Sequence, residues 1–155
     1  MKKLLAIFLC VVFPVSAFAG DNSYKVAYDG GSIPGIKAGT DIKIYVEGTN
    51  LRVVKDKTEL LLIPASAITE VSYGQDVHRR VGAAIGLAVF SLGLGALLAL
   101  SKSKKHFIGV TWDDAGKKGG FAFQADKNEY RGLLAGLEGV SGKKAVNSDA
   151  MTVKN

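Results

Sequence analysis

The chain has 155 residues, a formal net charge of +6, 48% hydrophobic residues and one cysteine. That length allows one domain with a real core and hardly two. The charge excess is mild and sits around and beyond an apolar run, which suits anionic headgroups better than a nucleic-acid groove.

The chain opens like an export signal. Lys2 and Lys3 form a basic start, Leu4 to Phe13 an apolar stretch, and Ala17-Phe18-Ala19 a small-x-small cleavage site. Residues 1–19 read as a signal peptide with Gly20 as the mature N-terminus. Cys10 follows Phe8 and Leu9 rather than the small residues that lipidation needs, and it leaves with the signal. The mature chain then has no disulfide, thiol nucleophile or thiolate metal site. A disulfide-free exported domain points to the bacterial cell envelope, on the periplasmic side.

From Asp21 to Tyr73 the pattern is strand, turn, strand. Tyr24–Tyr28 alternates, and Asp29-Gly30-Gly31 breaks it. Ser32–Gly39 reads as loop, and Ile42, Ile44 and Val46 mark a half-buried strand. Glu47–Asn50 turns into Leu51–Val54, and Lys55-Asp56-Lys57 turns into Glu59–Ile63. Pro64 ends that strand, having no N–H for a ladder. Ile68–Tyr73 is one more alternating strand.

An uncharged, glycine-rich run follows from Val81 to Leu100. His78-Arg79-Arg80 precedes it and Lys102-Ser103-Lys104-Lys105 follows, so the basic-flanked segment spans 78–105. About 20 apolar residues at ~1.5 Å each match a bilayer's hydrocarbon core. Val81, Gly82, Gly86, Phe90, Gly93, Gly95 and Leu100 are the candidate membrane residues. Arg79, Arg80, Lys102, Lys104 and Lys105 are the candidate headgroup contacts. Gly82, Gly86 and Gly95 offer small-residue spacing for self-association.

Beyond the run, His106–Trp112 and Gly120–Gln124 are rich in strand formers, separated by the turn from Asp113 to Gly119. Asp126 and Glu129 suggest a capping box for a helix from Lys127 to Gly139, with Tyr130, Leu133, Leu134 and Leu137 on its apolar face. Gly139 or Gly142 can end it. The tail from 147 to 155 reads as disordered.

The pattern predicts a mainly β fold with a C-terminal α-helix, an α+β antiparallel meander interrupted by an apolar helical segment. Leu61 to Val71, then Gly120-Phe121-Ala122-Phe123 and the helix from Lys127 to Gly139, resemble small bacterial pleckstrin-homology-like domains. The resemblance implies one barrel-like domain over 20–146, closed by the helix; it places no ligand residues.

Two readings of the run compete. One helix over 81–100 would put the two halves on opposite sides of a membrane. Gly20–Arg80 has eight basic and eight acidic residues, and 101–155 has ten and six, which fits the basic side staying inside. Alternatively Val71–Tyr73 and His106–Trp112 pair as a hairpin, and the run is a membrane-dipping tip broken near Ser91 to Gly95.

Candidate chemistry is sparse. His78 and His106, with Asp76, form a thin metal pattern outweighed by interfacial histidines. Asp113-Asp114 belongs to a turn. Gly139 to Lys144 lacks the first glycine and the Ser or Thr of a phosphate loop. Trp112, Phe121 and Phe123 read as core before groove. The sequence therefore suggests a non-enzymatic lipid- or protein-binding or assembly module, without cofactor, metal or nucleic acid. The alternative is a glycine-zipper-like membrane-active oligomer, and a hydrolase would lack a visible nucleophile and base.

Overall fold

A computed structural model describes residues 23–86 and 106–149. The segment 1–19, expected to be a signal peptide, lies outside them, as does the part of the apolar run beyond Gly86.

Eight strands form one mixed sheet: β1 (Ser23–Gly31), β2 (Asp41–Val46), β3 (Asn50–Lys55), β4 (Thr58–Pro64), β5 (Ile68–Tyr73), β6 (His106–Asp114), β7 (Lys117–Ala125) and β8 (Val146–Asn147). Their order across the sheet is β4-β3-β2-β1-β7-β6-β5-β8. Seven strands make antiparallel ladders, and the first pairs with the seventh, Val26 opposite Ala125. A bulge between Tyr28 and Gly30 lets β1 bend along β7. The short β8 adds to β5 in parallel.

Alternation sorts the strands into two faces. Val26, Ile42, Ile44, Leu51, Val53, Ile108, Val110, Phe121 and Phe123 bury on the inner face. Helix α2 (Tyr130–Ser141) covers that face with fully buried Leu133 and Leu137. Gly136 brings α2 close to β2, because a Cβ there would lie 3.4 Å from Cγ1 of Val46. The predicted strands and C-terminal helix are all present.

Both ends of the C-terminal helix differ from the sequence reading. α2 starts at Tyr130 rather than Lys127, because Asp126 nucleates a separate turn. Its carbonyl accepts from the N–H of Glu129 at 3.1 Å and of Tyr130 at 2.9 Å, and its carboxylate accepts from Asn128 N–H at 3.1 Å. The anticipated capping box does not form, as Glu129 makes no side-chain cap bond. The helix passes Gly139 and ends at Gly142, whose φ of 66° is the left-handed stop.

The tail also departs from the expectation of disorder from Asn147 onward. Asn147 pairs with Tyr73, and Ser148 is only 4% exposed, its N–H donating to the Tyr73 carbonyl at 2.8 Å. Two residues of strand carry no periodicity, so the sequence alone does not announce them.

The largest difference concerns the start of the apolar run. Val77–Ile85 is a helix, α1, lying on the outer face of the sheet. It stops at Gly86, whose φ is 71°. This helix thus ends at Gly86, and the expected break near Ser91 to Gly95 lies outside the described residues. Among the described residues no helix is long and apolar enough to cross a membrane.

Candidate membrane-facing site

α1 rests on the sheet through Val77, Val81 and Ile85, spaced by four and so on one helical face. They meet Phe107 and Ala122. Glycines make room beneath. A Cβ on Gly109 would come within 2.6 Å of Val81 Cγ2 and 2.7 Å of Val77 Cγ1. One on Gly120 would lie 2.9 Å from Val81 Cγ1 and 3.1 Å from Ile85 Cγ2. The sequence shows these glycines only as gaps in strands; they are the seat of a helix. Their order also gives α1 a direction, from the start of β6 toward the β6–β7 turn.

The charged residues of α1 are tied to the domain. Arg80 makes a two-pronged pair with Glu70, Nε to Oε1 at 2.5 Å and Nη2 to Oε2 at 2.7 Å. That pairing raises the Arg80 pKa above its ordinary value. His78 Nε2 lies 2.7 Å from Oδ2 of Asp29, and the imidazole meets Phe107 edge-on at 5.0 Å between centroids. Burial lowers the His78 pKa, against an opposing pull from the Asp76 charge. Arg79 points to solvent as an exposed side chain.

The predicted site residues therefore separate. Val81 and Gly82 are buried in the protein, Gly86 is an exposed helix stop, and Arg80 is held by Glu70. Because Gly86 lies past the end of α1, Gly82 and Gly86 do not form one helical face for self-association. Phe90, Gly93, Gly95, Leu100, Lys102, Lys104 and Lys105 lie outside the described residues.

The two histidines face away from each other. His106 stacks on Tyr130 of α2, 3.8 Å between centroids at an interplanar angle of 3°, while His78 belongs to the outer face. Among the described residues no group of three or more His, Cys, Asp or Glu could hold a metal. Phe121 and Phe123 are core, and Asp113 accepts from Gly116 N–H at 2.9 Å inside its turn.

β5 and β6 pair antiparallel, with Tyr73 opposite Ile108 and Val71 opposite Val110. The hairpin reading of these strands holds, and placing the two halves across a membrane does not fit one hydrogen-bonded sheet. The chain leaves the described region at Gly86 and returns at His106 on this same sheet.

A second feature shares the outer face. Lys25, Lys43, Tyr45, Lys55 and Lys57, with Asp41 and Asp56, line an open concavity of about 370 Å³. Register assembles it: Lys25 lies opposite Lys43 across β1 and β2, and β2 in turn pairs with β3, whose end carries Lys55. Lys25 Nζ sits 2.9 Å from Asp41 Oδ2, a hydrogen bond that raises the lysine's pKa. The turn itself is forced. Asp56 and Lys57 both take positive φ, 47° and 70°, where a two-residue hairpin favours Asn-Gly. Sequence reasoning missed this site because its lysines come from three separate strands and turns.

No protein-family model matches the chain, and no curated protein matches it.

Proposed function

We propose that this is a non-enzymatic, exported, membrane-associated module of the bacterial envelope, a β-domain whose apolar excursion reaches the lipid from one side. The observation that carries this reading is the pairing of β5 with β6, which returns both ends of the uncharged run to one sheet. The lysine-lined concavity lies on the same outer face as α1, giving that face a net attraction for anionic headgroups. Arg79 adds to it, while Arg80 serves α1.

The pleckstrin-homology-like assignment is part of the same proposal. It is supported by the antiparallel meander from β1 to β7, the β1–β7 ladder, the opening between β4 and β5, and the C-terminal helix over the inner face. The helix α1 on the outer face is an addition to that plan.

Sidedness tests the reading directly. Ser66 and Lys144 are both exposed and flank the run in sequence. Cysteines placed at each should both react with an impermeant maleimide in spheroplasts before lysis. Labelling of one alone would overturn one-sided insertion. Headgroup attraction is tested by flotation with phosphatidylglycerol vesicles, where Lys43→Glu with Lys55→Glu should reduce binding severalfold. Unchanged flotation would remove the concavity from the account.

A further inference from the structure

We propose that the C-terminal strap, Val146–Asp149, is a latch that holds α1 on the sheet, so that the state of the C-terminus controls exposure of the stripe Val77, Val81 and Ile85. The strap runs beside β5, with Val146 at Ser72 and Asn147 at Tyr73. Ser148 then donates twice to the Tyr73 carbonyl, from its N–H at 2.8 Å and its hydroxyl at 2.9 Å. The Asp149 carboxylate accepts from the N–H of Gln75 at 2.5 Å and of Asp76 at 3.4 Å, the residues that lead into α1. Asn147 Oδ1 holds the Asp149 N–H at 2.9 Å, so the carboxylate is itself positioned.

The electrostatics of α1 give the contact its importance. The first turn of a helix favours negative charge. In α1 that turn holds no acidic residue; it begins Val77-His78-Arg79-Arg80, the wrong sign. The N-cap Asp76 is acidic, and Asp149 adds a second negative charge at that end from 73 positions along the chain. Gly74 provides the notch: its φ is 124°, and a Cβ there would collide with Ser148 Oγ and the Asp149 carboxylate. α1 buries few residues, since its cluster consists of Val77, Val81, Phe107 and Ala122 with Ile85. Besides that cluster α1 is held by the Arg80–Glu70 pair and by His78 beside Asp29, and the strap fixes the residues that lead into its start. Trimming the chain after Asn147, or engaging its last residues elsewhere, frees the α1 stripe for a lipid surface. The lipid consequence rests on the function proposed above; the latch does not.

Hydrogen exchange on the full chain in detergent micelles tests it, with Asp149→Ala and a stop after Asn147. Exchange across residues 77–85 should speed up at least tenfold in both, while β1, β6 and β7 keep their protection. Asp149→Asn should fall between, because an amide oxygen still accepts but carries no charge. A synthetic peptide of residues 146–155 should restore protection to the truncated chain. Unchanged exchange at 77–85 in Asp149→Ala overturns the latch. If the truncated chain loses protection throughout, the Asp149→Ala result decides. Faster exchange without a gain in phosphatidylglycerol vesicle binding upholds the latch and counts against the membrane reading instead.

Discussion

The inner face of the sheet is filled by Phe121, Phe123, Ile44, Leu51 and Val53 and closed by Leu133 and Leu137 of α2, whereas the outer face seats α1 on Val77, Val81 and Ile85 over two glycines. The inner helix presses large side chains into a continuous core. The outer helix is held by a shallow stripe, one arginine pair and contacts from distant strands. Burial of that inner set sustains the fold. The outer set is the smaller of the two, so the sheet should outlast its loss, as an element with a second position requires.

The contrast can be broken from the inner side first. Phe121→Ala removes a fully buried ring in contact with Trp112 and Phe123. It should cost about 3–5 kcal/mol in urea unfolding. A cost below about 1 kcal/mol would mean that the inner face is not the main core. Gly109→Val strikes the outer side, pushing into Val77 and Val81. About 1–3 kcal/mol of overpacking should be relieved by releasing α1, with fast exchange confined to residues 77–85. Global loss of protection would show that the two faces fold as one unit.

Glu70→Gln is the milder probe. The Arg80–Glu70 pair is partly exposed, with side chains 23% and 29% accessible, so its loss should cost no more than about 1 kcal/mol and shrink in high salt. A salt-independent effect would argue for a packing role. The smallest change should come from pH. Burial lowers the His78 pKa in the folded chain, so the unfolded chain binds the extra proton first as pH falls. Stability should be full above the ordinary histidine value of about 6.5 and decline below it. His78→Asn should flatten that decline, measured by thermal unfolding at several pH values.

Much of the fold was legible because the strands alternate cleanly. Ile42, Ile44 and Val46 bury while Lys43 and Asp41 do not, as a half-buried strand requires. Pro64 ends β4 as expected. α1 was not legible as a packed helix, since its stripe merges into the uncharged run and the run's composition dominates the pattern. Its seat was hidden too, because Gly109 and Gly120 look like interruptions until the strands are paired. The lysine concavity is a product of register and turn geometry, which alternation alone does not supply. β8 and Asp149 reach their partners across nearly half the chain, at a distance where no local signal exists.

The ladder between β1 and β7 has a consequence in time. The first strand to be made waits for almost the last before its second edge is paired. β2, β3 and β4 can zip onto β1 as they emerge, and β6 with β7 forms its own hairpin. The sheet is joined only when these two pieces meet, after the apolar run has been made. Such non-local closure is slow. During that wait the edge of β1 is open to other chains, so a holding chaperone should raise the yield of folded protein.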